Sequence, residues 1–252
     1  MSHHLWQKFE EETKELRGPC SAELFNYSVH ISLKYNYLFT ETPKVACSTV
    51  KTVLQRMELD DPQFFREEFE DIHHRSFSPL IRPVQIANLD RLLKSSIFKF
   101  CFVRNPYSRL LSAYLEKICG NKSQKKAILE ALGKSGEDLT QSVSFSEFVQ
   151  LICNQSDEEM DPHWRPQYQQ PFQKGITYDF VGKLESFPED LHDALSKINR
   201  DFAKYLGHEK RHATGAKEHL KKYYTAELIE MVKRLYRDDF EFFGYDINII
   251  TC

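Results

Sequence analysis

The chain has 252 residues, of which 41% are hydrophobic and 28% charged, a composition typical of a globular protein with a sizeable core. Its formal net charge is −3, so the bulk charge does not indicate a nucleic-acid-binding protein, and any anion site must be local. The 6 cysteines include no C-x-x-C pair, which argues against a zinc knuckle or a thioredoxin-like motif.

The amino-terminal segment is charged and has a helical pattern to about residue 18, where Gly18 and Pro19 end it. It lacks the apolar centre of a signal peptide, and no apolar run approaches the roughly 20 residues that cross a bilayer. Together with the absence of an obvious cysteine pairing, these features predict a cytoplasmic protein without a transmembrane segment. Because no linker separates two halves, residues 1–252 are predicted to form a single domain.

The first predicted structural unit is a strand, a loop and a helix. Residues 27–40 are rich in β-branched and aromatic residues and read as strand material, with Tyr37–Thr40 as the last stretch. A short polar loop with Pro43 and Lys44 follows, and apolar residues recur at helical spacing from about Ser48. This order predicts the first half of a βαβ unit.

The second predicted unit begins with FKFCFV at residues 98–103, a short apolar run typical of a buried strand. Arg104 follows directly, and the apolar spacing over 107–118 predicts an amphipathic helix with Pro106 in its first turn.

Further elements follow toward the C-terminus. A strand is predicted at 178–182 and an amphipathic helix at 225–238, and capping-box patterns at Ser144 and Ser186 predict two more helix starts. The default interpretation is therefore an α/β domain with helical additions.

The segment Thr42–Lys51, TPKVACSTVK, has the features of an anion site. A helix N-terminus presents backbone N–H groups and a partial positive charge, which bind phosphate well. Lys44 adds a full charge, and Ser48 and Thr49 add hydroxyl donors in the first turn. The glycine pattern of a Walker ATPase is absent, which disfavours that class. Taken alone, the segment is more typical of an ordinary capped helix start with a surface lysine, because Pro-Lys and Ser-Thr are common at helix starts.

The segment VRNPYSRLLSAY, residues 103–114, is the second candidate. Arg104 stands at the C-terminal end of the predicted buried strand, where open α/β sheets bind ligands, and its planar fork suits a phosphate. Ser112 reaches the same anion if the helix packs across the crevice. Arg109 is either a second phosphate ligand or a solvated helix charge, and the solvated charge is slightly favoured. Alone, Arg104 is typical of a surface arginine at a strand end.

Together the two segments resemble a known family. PKVACSTVK resembles the 5′-phosphosulfate loop of the carbohydrate sulfotransferases related to the HNK-1, chondroitin and dermatan enzymes, and FVRNPYSRLLSAY resembles their 3′-phosphate motif. The segments HWRP at 163–166 and YDFVGKLE at 178–185 resemble further motifs of the family in the same order. The resemblance extends over about residues 37–245 and includes the closing helix and aromatic tail.

This resemblance implies a P-loop-like α/β fold with a central, mostly parallel sheet flanked by helices. It implies an enzyme that transfers a sulfuryl group from 3′-phosphoadenosine 5′-phosphosulfate (PAPS) to a hydroxyl of a carbohydrate acceptor by in-line displacement. No metal is required, because Lys44 and backbone N–H groups meet the charge of the leaving group. The family's eukaryotic members are membrane-anchored Golgi proteins with luminal disulfides, and the lack of both features in this chain favours the cytoplasmic prediction.

The resemblance also assigns site residues. Arg104 and Ser112 are expected to hold the 3′-phosphate, and Lys44 is expected to be catalytic. His73 is the first candidate for the general base and His74 the second, with exposed loop histidines as an equally weighted alternative and His163 as a rival base. The loop residues expected to contact the 5′-phosphosulfate are Pro43, Lys44, Ala46, Cys47, Ser48 and Thr49.

Two other classes of function stay open at this point. A P-loop-type small-molecule kinase would need a Walker lysine among glycines and an acidic magnesium ligand, and it leaves Arg104 and Ser112 unexplained. A catalytically inactive nucleotide-binding module would keep Arg104 but could lose Lys44 or the base.

Overall fold

The structure is a computed structural model that describes residues 3–17, 20–64, 72–169, 176–207 and 216–248. The described residues form an α/β fold with one four-stranded sheet and several helices. The strands are β1 (Val29–Ser32), β2 (Tyr37–Thr40), β3 (Phe98–Val103) and β4 (Phe180–Lys183). The helices are α1 (His3–Arg17), α2 (Ala22–Ser28), α3 (Cys47–Leu59), α4 (Leu89–Leu93), α5 (Pro106–Ala113), α6 (Lys125–Ala131), α7 (Phe145–Ile152), α8 (Phe187–Ile198), α9 (Ala216–Tyr223), α10 (Ala226–Leu235) and α11 (Arg237–Phe243).

The chain divides into two compact units, each with its own hydrophobic core. The first comprises residues 1–103 and 169–211 and contains the whole sheet. The second comprises residues 104–168 and 212–252 and is helical in its described part.

The sheet has the order β1-β2-β3-β4, in which β1 is antiparallel to β2 and the other neighbouring pairs are parallel. The predicted α/β class with a mostly parallel sheet is therefore confirmed. In the register, Phe39 lies opposite Phe100, which lies opposite Phe180. The three parallel strands consequently run toward one edge of the sheet, where open α/β sheets place their ligands.

Side chains that alternate along β2 pack against helices on both faces of the sheet. Tyr37 and Phe39 pack with Phe100 in a core that α3 and α8 complete. Leu38 points to the opposite face and packs in a second core with residues of α1, α2 and α4. Successive side chains on a strand point to opposite faces, so an apolar run without polar interruption predicts burial on both sides.

The predicted strand material at 27–40 is partly wrong. Tyr27 belongs to α2, whose start is capped by Ser21, which accepts a hydrogen bond from the Leu24 N–H at 3.1 Å. A turn then separates β1 from β2, and Asn36 adopts a left-handed φ of 55° in it. The β-prone residues of this segment therefore form a short hairpin that follows a helix.

The two predicted capping boxes have different outcomes. At Ser144 the box is confirmed, because its hydroxyl accepts from the Glu147 N–H at 3.2 Å while Glu147 accepts from the Ser144 N–H at 2.7 Å. At Ser186 the predicted helix start is confirmed, because α8 begins at Phe187, but the predicted cap is wrong, because the side chain makes no capping hydrogen bond to α8. Ser186 ends a 3-10 turn and has ψ 31°, whereas an N-cap residue is normally extended.

Two other helices also differ from their predictions. The helix at 225–238 is divided at Tyr236 into α10 and α11. The one at 107–118 comprises α5 and a π-helical turn at Tyr114–Ile118. The termini predicted at Gly18 and Pro19 lie outside the described residues.

Gly182 in β4 generates a prediction about packing in the sheet. A Cβ atom at this position would lie 2.4 Å from Cε1 of Phe102, whose ring is buried and has little room to move. We expect Gly182→Ala to lower the free energy of unfolding by about 1–3 kcal/mol in a denaturant titration. Val181→Ala, in the same strand but with an exposed side chain, is the matched control. An equal effect of the two substitutions would contradict the packing argument.

Candidate active site

The loop between β2 and α3 enters the helix through two residues in the left-handed region. Lys44 has φ 70° and Ala46 has φ 51°, although neither is a glycine. Non-glycine residues avoid this region, and such outliers concentrate at ligand-binding loops. Ala46 is the N-cap residue of α3 and has no side-chain acceptor for the first N–H groups of the helix. The local backbone therefore presents the donors and positive helix end that suit an anion.

The side chains of this loop surround the helix start. Pro43, Lys44, Ala46, Cys47, Ser48 and Thr49 are all half-buried, whereas Val45 and Val50 are fully buried and anchor the segment on either side. Desolvation raises the pKa of the Cys47 thiol, with Glu41 as the next largest cause. At neutral pH this cysteine is therefore a protonated, packed thiol rather than a nucleophile.

A buried ion pair lies directly beneath the loop. The Lys51 ammonium, in the second turn of α3, is 2.6 Å from Oε2 of Glu41, and the two side chains are 0% and 4% exposed. The ring of Tyr27 lies 5.7 Å from the same ammonium. Two buried charges are stable only when they neutralise each other and their remaining hydrogen-bonding capacity is used. The pair thus connects the residue after β2 to the beginning of α3.

A second pair of residues extends this network on the strand side. His30 in β1 lies with Nε2 3.2 Å from Oε2 of Glu41, and a guanidinium nitrogen of Arg75 contacts Nδ1 of His30. A guanidinium can only donate, so Nδ1 accepts and Nε2 carries the proton that is donated to Glu41. Burial, reinforced by the charge of Arg75, lowers the pKa of His30 to about 3, which keeps the ring neutral at physiological pH.

The network also sets the charge of the carboxylate. Burial alone would raise the pKa of Glu41, but Lys51 and His30 outweigh it and hold this pKa well below its usual range. Arg75 is itself fixed by the Val29 carbonyl at 2.9 Å, and burial lowers its pKa to about 10, so it stays charged at neutral pH.

The structure distinguishes between the two adjacent histidines that are predicted as candidate bases. His73 is half-buried, with Nε2 2.9 Å from the Ser48 hydroxyl and Nδ1 2.8 Å from the Lys51 ammonium. His74 is exposed and stacks on the exposed ring of Phe77 at 4.6 Å. Of the two, His73 is therefore the one that lies at the loop.

Glu41, Cys47 and His73 bring potential metal ligands within 4.8 Å of one another. The Lys51 ammonium lies 2.6 Å from Glu41 and 2.8 Å from His73, between two of these three ligands. The residues present therefore fit the ammonium that the protein itself supplies, and they do not fit an added divalent cation.

Arg104 and Ser112 belong to the second unit. The guanidinium Nε of Arg104 donates to the Ser108 hydroxyl at 2.9 Å. Its backbone is held by Gln167, whose amide oxygen and nitrogen lie 2.8 Å from the Arg104 N–H and carbonyl, respectively. Gln167 is fixed in turn by Asp239, which accepts from its backbone N–H at 2.8 Å. Ser108 and Ser112 follow Arg104 at steps of four residues, which places hydroxyls on one side of α5.

Arg109 differs from its prediction. The slightly favoured interpretation as a solvated charge is wrong, because the side chain is only 1% exposed. Its two terminal nitrogens donate to the Arg165 carbonyl at 2.8 Å and the Pro162 carbonyl at 2.9 Å. This guanidinium is a buried cross-link inside the second unit.

His163, the rival base, also lies in the second unit, with Nδ1 2.6 Å from Oδ1 of Asp161. Its neighbour Trp164 is buried against Phe148, with ring centroids 5.3 Å apart. This tryptophan belongs to the hydrophobic core of the second unit.

The site residues that sequence reasoning missed are His30, Glu41, Lys51, Arg75, Ser108 and Gln167. The position of Lys51 could have been predicted, because it stands three residues after Ser48 on the same helix and is therefore its neighbour on the helix surface. Glu41 directly follows a strand, a position common for functional side chains. The contact between His30 and Arg75 depends on tertiary packing, and no local sequence pattern predicts it.

A family model described as "Sulfotransferase family" matches residues 28–246. The chain belongs to this family. The resemblance found in the motifs is thereby confirmed. Human carbohydrate sulfotransferase 14 is 30% identical over 175 residues, which are 67% of this chain and 46% of the relative. Rat carbohydrate sulfotransferase 11 is 31% identical over 183 residues, or 64% of this chain and 50% of the relative.

Zebrafish carbohydrate sulfotransferase 14 is 26% identical over 267 residues and covers 100% of this chain and 68% of the relative. The sulfotransferase chain thus spans about half the length of the human and rat relatives that it matches. No solved structure matches it.

The prediction of a cytoplasmic protein is wrong. The relatives are carbohydrate sulfotransferases, which are Golgi enzymes. The absence of a targeting signal from a sequence does not identify a compartment. Within the described residues, no helix combines the length and the apolar character needed to cross a membrane.

The buried ion pair generates a prediction about stability. Glu41→Ala removes the partner of a fully buried ammonium, so we expect the free energy of unfolding to fall by about 3–5 kcal/mol in a denaturant titration. The matched control is Glu12→Ala, which removes a carboxylate from the exposed Lys8–Glu12 pair and should change stability by less than about 1 kcal/mol. A small effect of Glu41→Ala would contradict the assignment of a buried, charged Lys51.

His30 generates a prediction about pH. Its pKa is about 3 in the folded protein and roughly 6.5 when unfolded, so between these values the unfolded state binds more protons. Stability should therefore fall as the pH is lowered from about 6.5, by at most ~1.4 kcal/mol per pH unit from this group. Glu41, with its depressed pKa, adds to the loss below about 4.3.

Unfolding titrations between pH 7 and pH 4.5 test the pH prediction. His30→Gln keeps a donor and an acceptor but does not titrate, so its slope of stability against pH should be shallower than that of the wild type. Equal slopes would show that His30 is not held neutral.

Proposed function

We propose that the chain is a sulfotransferase that transfers a sulfuryl group from PAPS to a hydroxyl of a carbohydrate. The observation that carries this proposal is the β2–α3 loop, a helix start reached through two left-handed residues and bearing Lys44 and Ser48. Membership in the sulfotransferase family supports the reaction, and the names of the relatives support the class of acceptor.

The residues of the loop fit the 5′-phosphosulfate of the donor. Ala46 and Cys47 stand where backbone N–H groups at the start of α3 meet an anion, Lys44 adds a cation, and Ser48 and Thr49 add hydroxyls. This arrangement is P-loop-like in its physics, since left-handed residues next to a helix start form a concave set of N–H donors. Pro43 limits the conformations of the segment.

Arg104 and Ser112 are proposed to bind the 3′-phosphate. The Ser108 hydroxyl orients the Arg104 guanidinium, and the Gln167 amide holds the Arg104 backbone, so the side chain starts from a fixed position. A guanidinium and a hydroxyl are typical ligands of a phosphate. The 3′-phosphate is the group that distinguishes PAPS from ATP.

PAPS supplies the sulfuryl group and the leaving phosphate oxygen. Lys44 neutralises the charge that grows on that oxygen, and His73 receives the proton of the acceptor hydroxyl, with His74 as the second candidate. No metal is proposed, because the cation beneath the loop is Lys51. The acceptor is a carbohydrate or another hydroxyl-bearing molecule.

Transfer of labelled sulfate from PAPS to a panel of desulfated glycans tests the reaction. We expect Lys44→Ala to lower kcat by roughly 10²-fold or more, because it removes a charge directed at the leaving group. The control is Lys34→Ala, whose ammonium contacts the backbone carbonyl of Glu58 at 3.1 Å at the far end of α3. If Lys44→Ala transferred sulfate as fast as the wild type, the proposed role of Lys44 would be wrong. If the wild type bound PAPS but transferred sulfate to no acceptor, the chain would be a catalytically inactive nucleotide-binding module.

The same assay tests the second anion site. Arg104→Ala should raise the KM for PAPS by roughly 10- to 100-fold with a smaller effect on kcat, because a charge-assisted hydrogen bond contributes about 1.5–3 kcal/mol. Arg237→Ala, which removes an exposed arginine from the second unit, should leave the KM unchanged. If Arg104→Ala retained the wild-type KM, the proposed 3′-phosphate site would be wrong.

A further inference from the structure

We infer that Lys51 is a positioning residue that fixes the proton of His73 on Nε2 and thereby controls when this histidine is basic. The inference rests on the proposed function only where it treats His73 as the base. The position of the proton is a property of the free protein and is measured without donor or acceptor.

The proton positions follow from the donors around the ring. An ammonium has three donors and no acceptor, so the Lys51 nitrogen, 2.8 Å from Nδ1 of His73, must be donating to it. Nδ1 is then the unprotonated nitrogen, and a neutral ring carries its single proton on Nε2. That proton is donated to the Ser48 hydroxyl oxygen, which lies 2.9 Å from Nε2.

Lys51 is held in this position from the other side. Its ammonium donates to Oε2 of Glu41 at 2.6 Å, and the same oxygen accepts from Nε2 of His30 at 3.2 Å. Arg75 in turn donates to His30, so a continuous chain of hydrogen bonds leads from Arg75 to the ring of His73. Because the Lys51 side chain is fully buried, water does not compete for these contacts.

The consequence concerns the chemistry of the proposed base. A neutral imidazole has one lone pair able to take a proton, and here it lies on Nδ1 and is covered by Lys51. For the O–H bond of an acceptor to break toward His73, either Lys51 must leave Nδ1 or the ring proton must leave Nε2. The protonation that Lys51 imposes therefore makes His73 a donor to Ser48 in the free protein and only conditionally a base.

The direct test is ¹⁵N NMR of the free protein with labelled histidine at neutral pH. The resonances of the two ring nitrogens report which one carries the proton, and His73→Gln identifies the signals by their loss. We expect His73 to be neutral with the proton on Nε2. His30 should show the same tautomer because of Arg75, which provides an internal comparison. A proton on Nδ1 of His73, or a doubly protonated ring, would overturn the inference.

Variants test whether Lys51 is the cause. Lys51→Met removes the donor, and combining it with Glu41→Gln avoids an unpaired buried carboxylate if the single variant does not fold. In either variant we expect the tautomer with the proton on Nδ1 to become populated, whereas Lys51→Arg should keep the wild-type tautomer. Lys34→Met is the control and should change nothing, because Lys34 lies in the turn between β1 and β2 and its ammonium contacts the far end of α3. An unchanged tautomer without Lys51 would overturn the inference.

Kinetics give a second readout that a purely structural role would not produce. A general base typically contributes about 10²- to 10⁴-fold, which bounds the change in kcat expected in Lys51→Met. If Lys51 acts only through His73, then Lys51→Met should not change kcat further in a His73→Ala background. An independent effect of Lys51→Met in that background would contradict the inference. Failure of all variants and the wild type to transfer sulfate would instead reject the proposed function, while the NMR result would stand by itself.

Discussion

The Glu41–Lys51 ion pair is the interaction on which the site depends. Glu41 follows β2, where its backbone N–H donates to the Ser28 carbonyl at 2.9 Å, and Lys51 lies in the second turn of α3. The pair therefore fixes both ends of the loop that connects strand and helix. Neither charge is stable in the interior without the other, and the pair places an ammonium where it also contacts His73.

The loop itself combines strain with tight anchoring. Left-handed conformations at Lys44 and Ala46 each cost of order 1 kcal/mol or more, which glycines would have avoided. The buried side chains of Val45 and Val50 offset this cost by burying apolar surface on either side of the helix start. A side chain at position 44 also supplies a cation that a glycine cannot, so the strain is coupled to the proposed chemistry.

The sequence predicted those elements whose signal is local. Phe98–Val103 is a strand as predicted, because a short, mostly apolar run that is buried on both faces has few alternatives. The remaining features depend on contacts between residues far apart in the sequence, which local patterns do not predict. Arg109 has the spacing of a surface charge, and it is buried because carbonyls more than fifty residues later accept its hydrogen bonds. Likewise, His73 and His74 are equivalent in sequence, and the contact of His73 with Ser48 distinguishes them only after folding.

Calorimetric titration of the wild-type protein tests whether the chain uses a 3′-phosphorylated sulfate donor. The ligands are 3′-phosphoadenosine 5′-phosphate, ADP, and ATP with magnesium. We expect tight binding of the first and much weaker binding of ADP, because the 3′-phosphate requires its own ligands. Equal affinity for ADP, or preferential binding of ATP with magnesium, would contradict the proposed donor and favour a kinase.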